Sequence, residues 1–177
     1  DNKLIVSKAN KVYLRECDGS LSFLFSFFET RLNRFLSFFS LLFRMKRLGV
    51  MTGISIEDDY FFTYGKKIHR YNSKSEELIE EYSFNKGRGP LQFCSIEKIK
   101  GFDKSVCFGE YFGNHSRTPV KIYQRTDSGE WKSPFQFKHG EINHVHALIP
   151  DIYNQCVWIL VGDFEHSAAI YKATNNF

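Results

Sequence analysis

The pair His144 and His146 is the first place in the sequence where residue type and spacing suggest chemistry. The two histidines lie two positions apart in a strand-like run, so both imidazoles are expected on one face of a sheet. Such a pair can bind a metal ion or orient a substrate, and Glu110 or Asp163 on a neighbouring strand can complete a ligand set. The spacing matches no known metal motif, and the alternative is a polar channel lining without a ligand. We therefore expect the histidines to bind a substrate, with no metal and no cofactor.

A second group of polar residues follows the strand-like segment 105–109. It offers a carboxylate, a phenol, an amide and a guanidinium, in the order Glu110, Tyr111, Asn114 and Arg117. Loops at strand ends often carry binding residues, and these are the groups that a sugar site uses. We expect Asn114 and Arg117 to contact a substrate, although both also suit a turn before Pro119.

Asp163 follows a strand-like run that ends in Gly162, which presents its carboxylate at a sheet edge. Glycosidases use a pair of carboxylic acids, or a tyrosine nucleophile assisted by a carboxylate. We therefore predict Glu110 and Asp163 as an acid/base pair and Tyr111 as a third catalytic candidate. The alternative for Asp163 is a cap on the following turn. The sequence has no P-loop, GxGxxG, GxSxG or CxxC motif, which argues against nucleotide, serine-hydrolase and thiol-redox chemistry.

Short strands must position these residues. From residue 51 onward, apolar and polar residues alternate with a period of two, and turn clusters lie at 86–90, 113–114, 127–129 and 150–151. This pattern predicts an all-β domain. The 177 residues are 42% hydrophobic, which is enough for the core of one domain. The 24 Lys and Arg against 20 Asp and Glu leave a mild net charge of +4, which does not predict nucleic-acid binding.

One segment, residues 28–47, has a helical period instead. Its apolar stripe has a 4-3-4-3 spacing and consists of Phe28, Leu32, Phe35, Phe39 and Leu42. The stripe predicts an amphipathic helix that ends before Gly49 and lies on the body of the domain. The alternative is peripheral contact with an anionic membrane surface.

Membrane and compartment signals are weak. Charges near the centre of 21–43, among them Glu29 and Arg34, argue against a transmembrane span. The first residues show no secretory signal. Cys94, Cys107 and Cys156 lie among apolar residues and are expected to be buried thiols. The localisation stays open, with the cytoplasm slightly favoured.

A similar motif occurs four times, as an apolar residue, an aromatic or histidine, and a polar turn. The copies begin at Val12, Ile68, Ile122 and Ile170, with spacings of 56, 54 and 48 residues. Propeller blades repeat at about 40–50 residues, so the spacing predicts blades, with the helix inserted in the longest interval. Chance similarity among short hairpins is the alternative.

The third copy, from Ile122 to Trp131, resembles the Asp-box S-x-D-x-G-x-x-W of the sialidase-like (BNR-repeat) β-propellers. Arg125 stands where that motif has serine, and Trp131 comes one residue early. A longer stretch is similar to an uncharacterised branch of the same family. Its matching segments are GEYFGN at 109–114, RTPV at 117–120, NHVH at 143–146 and WILVGD at 158–163.

This resemblance implies an all-β fold, a partial β-propeller of about three to three and a half blades with one inserted amphipathic helix. It implies one propeller domain over 1–177, with the helical insertion at 28–47 and the best-matching blades at 50–177. Asp127 and Trp131 would be structural residues of a turn. The arginines in the β region lack the motif context of a sialidase arginine triad, which puts sialidase activity in doubt.

The function implied is recognition of an oligosaccharide or glycan, with glycoside hydrolysis as the reaction if the chain is an enzyme. The alternative is a non-catalytic propeller scaffold for protein partners. A sheet array that stops after three blades would expose a strand edge, so self-association through that edge is also expected.

Overall fold

The computed structural model describes residues 4–27, 35, 39, 41, 48–87, 89–163 and 167–177. These residues form fourteen strands in four antiparallel sheets. The chain divides into two compact units, Asp1–Met51 and Thr52–Phe177. The all-β class predicted from the strand periodicity is therefore confirmed.

The first unit contains one three-stranded sheet. Its strands, in order, are β1 (Leu4–Lys8), β2 (Lys11–Arg15) and β3 (Leu21–Ser26). Side chains alternate between the two faces of a strand, so residues two apart share a face. Val12 and Leu14 on β2 are buried in this way, as are Phe25 on β3 and Phe27 just after it.

The second unit contains three sheets, and in each the strands follow one another in space as they do in sequence. The first sheet consists of β4 (Gly53–Ile56), β5 (Asp59–Tyr64), β6 (Lys67–Asn72) and β7 (Glu77–Ser83). The second consists of β8 (Cys94–Ile96), β9 (Ser105–Gly109), β10 (Val120–Arg125) and β11 (Trp131–Phe137). The third consists of β12 (Val145–Asp151), β13 (Cys156–Val161) and β14 (Ala169–Ala173).

An inner strand of the second sheet, β9, is buried on both faces. All five residues of β9 are buried, and their side chains alternate between two apolar clusters. Val106 and Phe108 pack with Phe61 of the first sheet, whereas Cys107 packs with Val145 of the third sheet. A strand covered on both sides is a continuous apolar run, which is how 105–109 appears in the sequence.

The repeated motif marks equivalent strands within the second unit. Ile68, Ile122 and Ile170 lie on β6, β10 and β14, the third strand of each sheet. Ile68 and Ile122 are fully buried, whereas Ile170 is 68% exposed because β14 is the outer strand of its sheet.

The turn predicted to be an Asp-box is held by a different residue. Between β10 and β11, Thr126 accepts hydrogen bonds from Gly129 N (2.9 Å, at its carbonyl) and from Glu130 N (3.1 Å, at its hydroxyl). Gly129 has the positive φ of 86° that such a turn requires. Trp131 packs on Phe108 with ring centroids 5.1 Å apart, as a structural residue. Because Thr126 accepts these bonds, they do not support an Asp-box role for Asp127.

The predicted fold class, a partial β-propeller with an inserted amphipathic helix, is wrong as stated. Among the described residues the elements are strands only, and none of the four sheets closes on itself. Most of 28–47 lies outside the described residues. Of the apolar stripe, Phe35 and Phe39 are described, and they are 59% and 49% exposed. Burial of an apolar face supplies most of the stability of a helix in a protein, and these two side chains do not obtain it.

Within the described part of the chain, no helix has the length and apolar character needed to cross a membrane.

Glu81 on β7 forms the main buried ionic cluster of the second unit. Its side chain is 5% exposed and accepts hydrogen bonds from Arg70 Nε (2.8 Å) and from Arg125 Nε and Nη2 (2.8 and 2.7 Å). Trp131 Nε1 donates a further bond at 3.2 Å. The two arginines and the indole lie on β6, β10 and β11, so this one carboxylate joins the first sheet to the second.

The third sheet meets the second at a very close contact between Gly109, the last residue of β9, and Val145, the first of β12. Val145 N donates to the carbonyl of Glu110 at 3.0 Å. A Cβ atom on Gly109 would overlap the Val145 side chain, so only glycine fits here.

We predict that Glu81→Ala lowers the free energy of unfolding by about 3–5 kcal/mol, because it removes the buried carboxylate that two largely buried guanidinium groups share. Arg70 then keeps Asp59 alone, and Arg125 loses the one ion pair that it has among the described residues. The neighbouring Glu80 is the matched control, since it pairs with Lys67 while both side chains are 43% exposed. Glu80→Ala is expected to cost about 0–1 kcal/mol. Urea unfolding of both variants measures the difference, and equal losses would contradict the role of Glu81.

We also predict that Gly109→Ala lowers the free energy of unfolding by about 1–3 kcal/mol through overpacking against Val145. Gly113→Ala is the control, because a Cβ there meets no atom within 4 Å. Urea unfolding measures the free energy of unfolding of both variants. Equal losses would contradict the close contact between Gly109 and Val145.

Candidate functional site

The sequence-predicted residues gather at one edge of the second and third sheets, where β9 and β13 end and β10 and β12 begin. Glu110 ties three of these strands together through its backbone. Its N–H donates to Lys121 O at 3.0 Å, and its carbonyl accepts from Val145 N at 3.0 Å. Main-chain bonds therefore join the three strands at this edge.

The two histidines converge on one carboxylate. His144 Nε2 lies 2.8 Å from Asp163 Oδ2, and His146 Nε2 lies 2.9 Å from Asp163 Oδ1. The imidazole centroids are 4.8 Å apart. The sequence predicted a shared face for the histidines and suggested Asp163 or Glu110 as a neighbour, and the structure brings Asp163 to them.

Backbone irregularities aim these side chains. The register of β12 against β13 shifts between Val145 and Ala147, so His146 lies at a β-bulge. Bulges re-aim a side chain and are common next to functional sites. Asp163 has a φ of 107°, a backbone conformation that residues other than glycine rarely adopt.

His144 is the buried member of the cluster, with a side chain that is 7% exposed. Its Nδ1 lies 3.3 Å from the carbonyl of Phe112, so the neutral tautomer that satisfies this carbonyl carries its proton on Nδ1. Among the described residues, Nε2 has no partner in hydrogen-bond geometry, although Asp163 Oδ2 is near. Burial lowers the pKa of His144, and the charge of Asp163 opposes that shift.

Tyr111 closes one side of the cluster. Its ring centroid is 4.3 Å from that of His144 and 5.8 Å from that of His146. The side chains of His146 and Asp163 are 34% and 40% exposed, so the cluster is open to solvent on their side. The arrangement can accept protons or cations from solvent.

Asn114 and Arg117 shape the loop after β9. Asn114 Nδ2 donates to the carbonyls of Thr118 and Asn143 at 2.8 Å each, and its Oδ1 accepts from Thr118 N at 2.9 Å. Arg117 has a φ of 47°; its N–H donates to the Asn114 carbonyl at 2.9 Å, and its carbonyl accepts from Gly140 N at 2.8 Å. For both residues the contacts fit the turn-forming alternative.

The Glu110 side chain faces a separate cleft. One oxygen, Oε2, accepts from Lys121 N at 2.8 Å. The cleft has a volume of about 320 Å³. Its described lining residues are Tyr82, Phe84, Asn85, Lys86, Glu110, Pro119, Lys121, Tyr123 and Gln136. No contact within the described chain joins Glu110 to Asp163, so the predicted acid/base pair remains a prediction without a shared site.

Sequence reasoning missed the aromatic wall of this cleft. Tyr123 stacks on Phe108 with ring centroids 5.0 Å apart, and Tyr82 lies 5.4 Å from Tyr123. Burial and the Tyr82 hydroxyl raise the pKa of Tyr123. The strand pattern identifies these residues as parts of β7 and β10, but it does not reveal that two different sheets bring them together.

The comparisons show the fold and nothing finer. No protein-family model matches the sequence, and no curated protein is detectably similar to it. Two solved structures of the extracellular domain of BT4673 from B. thetaiotaomicron, a one-component or hybrid two-component system, match with a TM-score of 0.58 each. Their sequence identities are 17% and 15%, over 97% and 96% of this chain.

The chain spans about a fifth of those bacterial chains, with 19% and 20% of their lengths covered. A third structure, of S. cerevisiae Dbp5 bound to Nup159, Gle1, IP6 and ADP, matches with a TM-score of 0.51 and 8% identity. It covers 97% of this chain and 42% of the matched one. Neither bacterial neighbour is named as a sialidase, so the likeness supports the all-β fold and the sialidase-like resemblance stays a prediction.

The Glu110 carboxyl gives a test by pH. Burial raises its pKa above the ordinary 4.5, while the Lys121 N–H and nearby lysine charges oppose the shift. Its contribution to stability is therefore fully present below the unfolded pKa and is lost as pH rises through the folded pKa. We expect the stability of Glu110→Gln relative to the parent to increase from about pH 4 to about pH 7 in urea unfolding.

The control is Glu77→Gln, at an exposed position on β7 of the first sheet. Its stability relative to the parent is expected to change little over the same range. A flat difference for Glu110→Gln as well would contradict the burial of this carboxyl.

Proposed function

We propose that the chain is a carbohydrate-binding module whose site is the cleft around Glu110. The observation that carries this proposal is the lining of that cleft, a half-buried carboxylate between aromatic side chains and amides. Binding sites of small molecules are concave, about 300–1,000 Å³ in volume, and mostly apolar with a few placed polar groups. The cleft, at about 320 Å³, has the size for one or two sugar rings.

The polar groups of the cleft suit hydroxyl-bearing ligands. Glu110 Oε2 is occupied by the Lys121 N–H, which fixes the carboxyl group and leaves its other oxygen to accept from a ligand. Gln136 on β11 is exposed and offers both a donor and an acceptor. Tyr82 and Tyr123 give flat surfaces with hydroxyl groups at their ends.

Binding without cleavage fits these residues better than hydrolysis. A glycosidase needs a second acid, or a tyrosine with its carboxylate, across the same bond. Glu110 is the one acid among the described residues that line the cleft, and Asp163 and Tyr111 belong to the histidine cluster. Tyr123 also lines the cleft, but burial raises the pKa of its hydroxyl, which disfavours the phenolate that a tyrosine nucleophile needs. The likeness to extracellular domains of signalling systems accords with a ligand-binding module, although at this identity it concerns the fold.

We expect one class of acidic or neutral oligosaccharide to raise the melting temperature of the chain and to bind in calorimetric titration. Glu110→Gln and Gln136→Ala are each expected to weaken that binding about tenfold or more, because each removes a hydrogen-bonding group from the ligand. Glu77→Gln is the matched control and is expected to bind as the parent does.

Two outcomes would oppose the proposal in different ways. If no glycan shifts the melting temperature, the carbohydrate function is wrong and the protein-scaffold alternative gains. If a glycan binds but both cleft variants keep the parent affinity, the function stands and the cleft is the wrong site.

A further inference from the structure

The cluster of His144, His146 and Asp163 has the composition and geometry of a transition-metal site. Each residue offers one ligand atom, and the three atoms lie within 4.8 Å of one another. Two imidazole nitrogens and a carboxylate oxygen form one of the common three-ligand sets for Zn²⁺. The sequence analysis predicted that no metal binds here, because the spacing of these residues matches no known metal motif.

The buried His144 side chain points to a cation. Its Nδ1 is held by the Phe112 carbonyl, which orients the ring and leaves the lone pair of Nε2 directed into the cluster. Nε2 is buried, lacks a hydrogen bond among the described residues, and lies 2.8 Å from a carboxylate oxygen. In the tautomer that carries its proton on Nδ1, the lone pair of Nε2 faces an anionic oxygen, which is unfavourable, and a cation that both atoms coordinate removes the conflict.

We propose that His144 Nε2, His146 Nε2 and a carboxylate oxygen of Asp163 bind a zinc-class divalent cation. Two nitrogen ligands favour Zn²⁺ over Mg²⁺ and Ca²⁺, which prefer oxygen. Bonds of 2.0–2.1 Å at tetrahedral angles place ligand atoms about 3.3 Å apart, so the carboxylate must withdraw slightly from both imidazoles. Asp163 is 40% exposed at the rim of the cluster and has room to turn.

The site keeps a coordination position open. The side chains of His146 and Asp163 are 34% and 40% exposed, so the fourth position of a tetrahedral ion faces solvent. A water or a ligand oxygen takes that position. The ion also joins the start of β12 to the end of β13 across the bulge at His146. This proposal does not rest on the carbohydrate function, because Glu110 faces a different cleft.

The test uses the full chain without an affinity tag, stripped with a chelator, and carrying Cys17→Ser because Cys17 is an exposed thiol. We expect one equivalent of Zn²⁺ in calorimetric titration and a rise in melting temperature that Mg²⁺ does not produce. Co²⁺ is expected to give the intense visible absorption of a tetrahedral site. His146→Ala and Asp163→Asn are each expected to lower the Zn²⁺ affinity more than about tenfold and to abolish that spectrum.

His139→Ala is the matched control, since His139 is an exposed histidine in the turn after β11. It is expected to keep the parent affinity, and so is Glu110→Gln. Absence of stoichiometric Zn²⁺ binding overturns the proposal, as does parent-like binding in both His146→Ala and Asp163→Asn. His146 and Asp163 are partly exposed, so both variants are expected to fold. Melting curves of the variants and the parent in the presence of chelator show whether the fold is retained.

Discussion

The close approach of β9 and β12 is the constraint on which the candidate site depends. Gly109 lacks a side chain, so Val145 packs directly against its backbone, and the Val145 N–H bonds to the carbonyl of Glu110. This contact determines where β12 begins relative to β9. It places His144, which precedes β12, and His146, which lies on it, beside the loop that carries Tyr111.

Two buried polar clusters of the second unit differ in how fully they are satisfied. Glu81 is surrounded by Arg70, Arg125 and the Trp131 indole, all within hydrogen-bond distance, so its charge is compensated. Such a cluster ties sheets together and leaves no group free for a ligand. His144 has one nitrogen satisfied by Phe112 and the other without a bond among the described residues. An incompletely satisfied polar group that opens towards solvent is what distinguishes a binding site from a structural cluster.

The histidine cluster and the Glu110 cleft share a scaffold but use different atoms. Adjacent residues, Glu110 and Tyr111, serve the two places. Main-chain bonds of Glu110 join the strand ends that carry both places. This separation allows carbohydrate binding and metal binding to be tested independently.

The sequence alone determined the all-β class, since apolar residues at a period of two can be buried only in sheets, and it marked His144, His146, Glu110 and Asp163. The predicted helix at 28–47 is not among the elements of the described residues, and most of that segment lies outside them. The turn role of Thr126 did not follow from residue type, whereas a turn before Pro119 was already the alternative for Asn114. Which polar residues meet was decided by the tertiary structure: the bulge at His146 and the packing between strands bring Asp163 to the histidines. Spacing along a chain gives the face of a strand, whereas the distance between strands depends on how whole sheets pack.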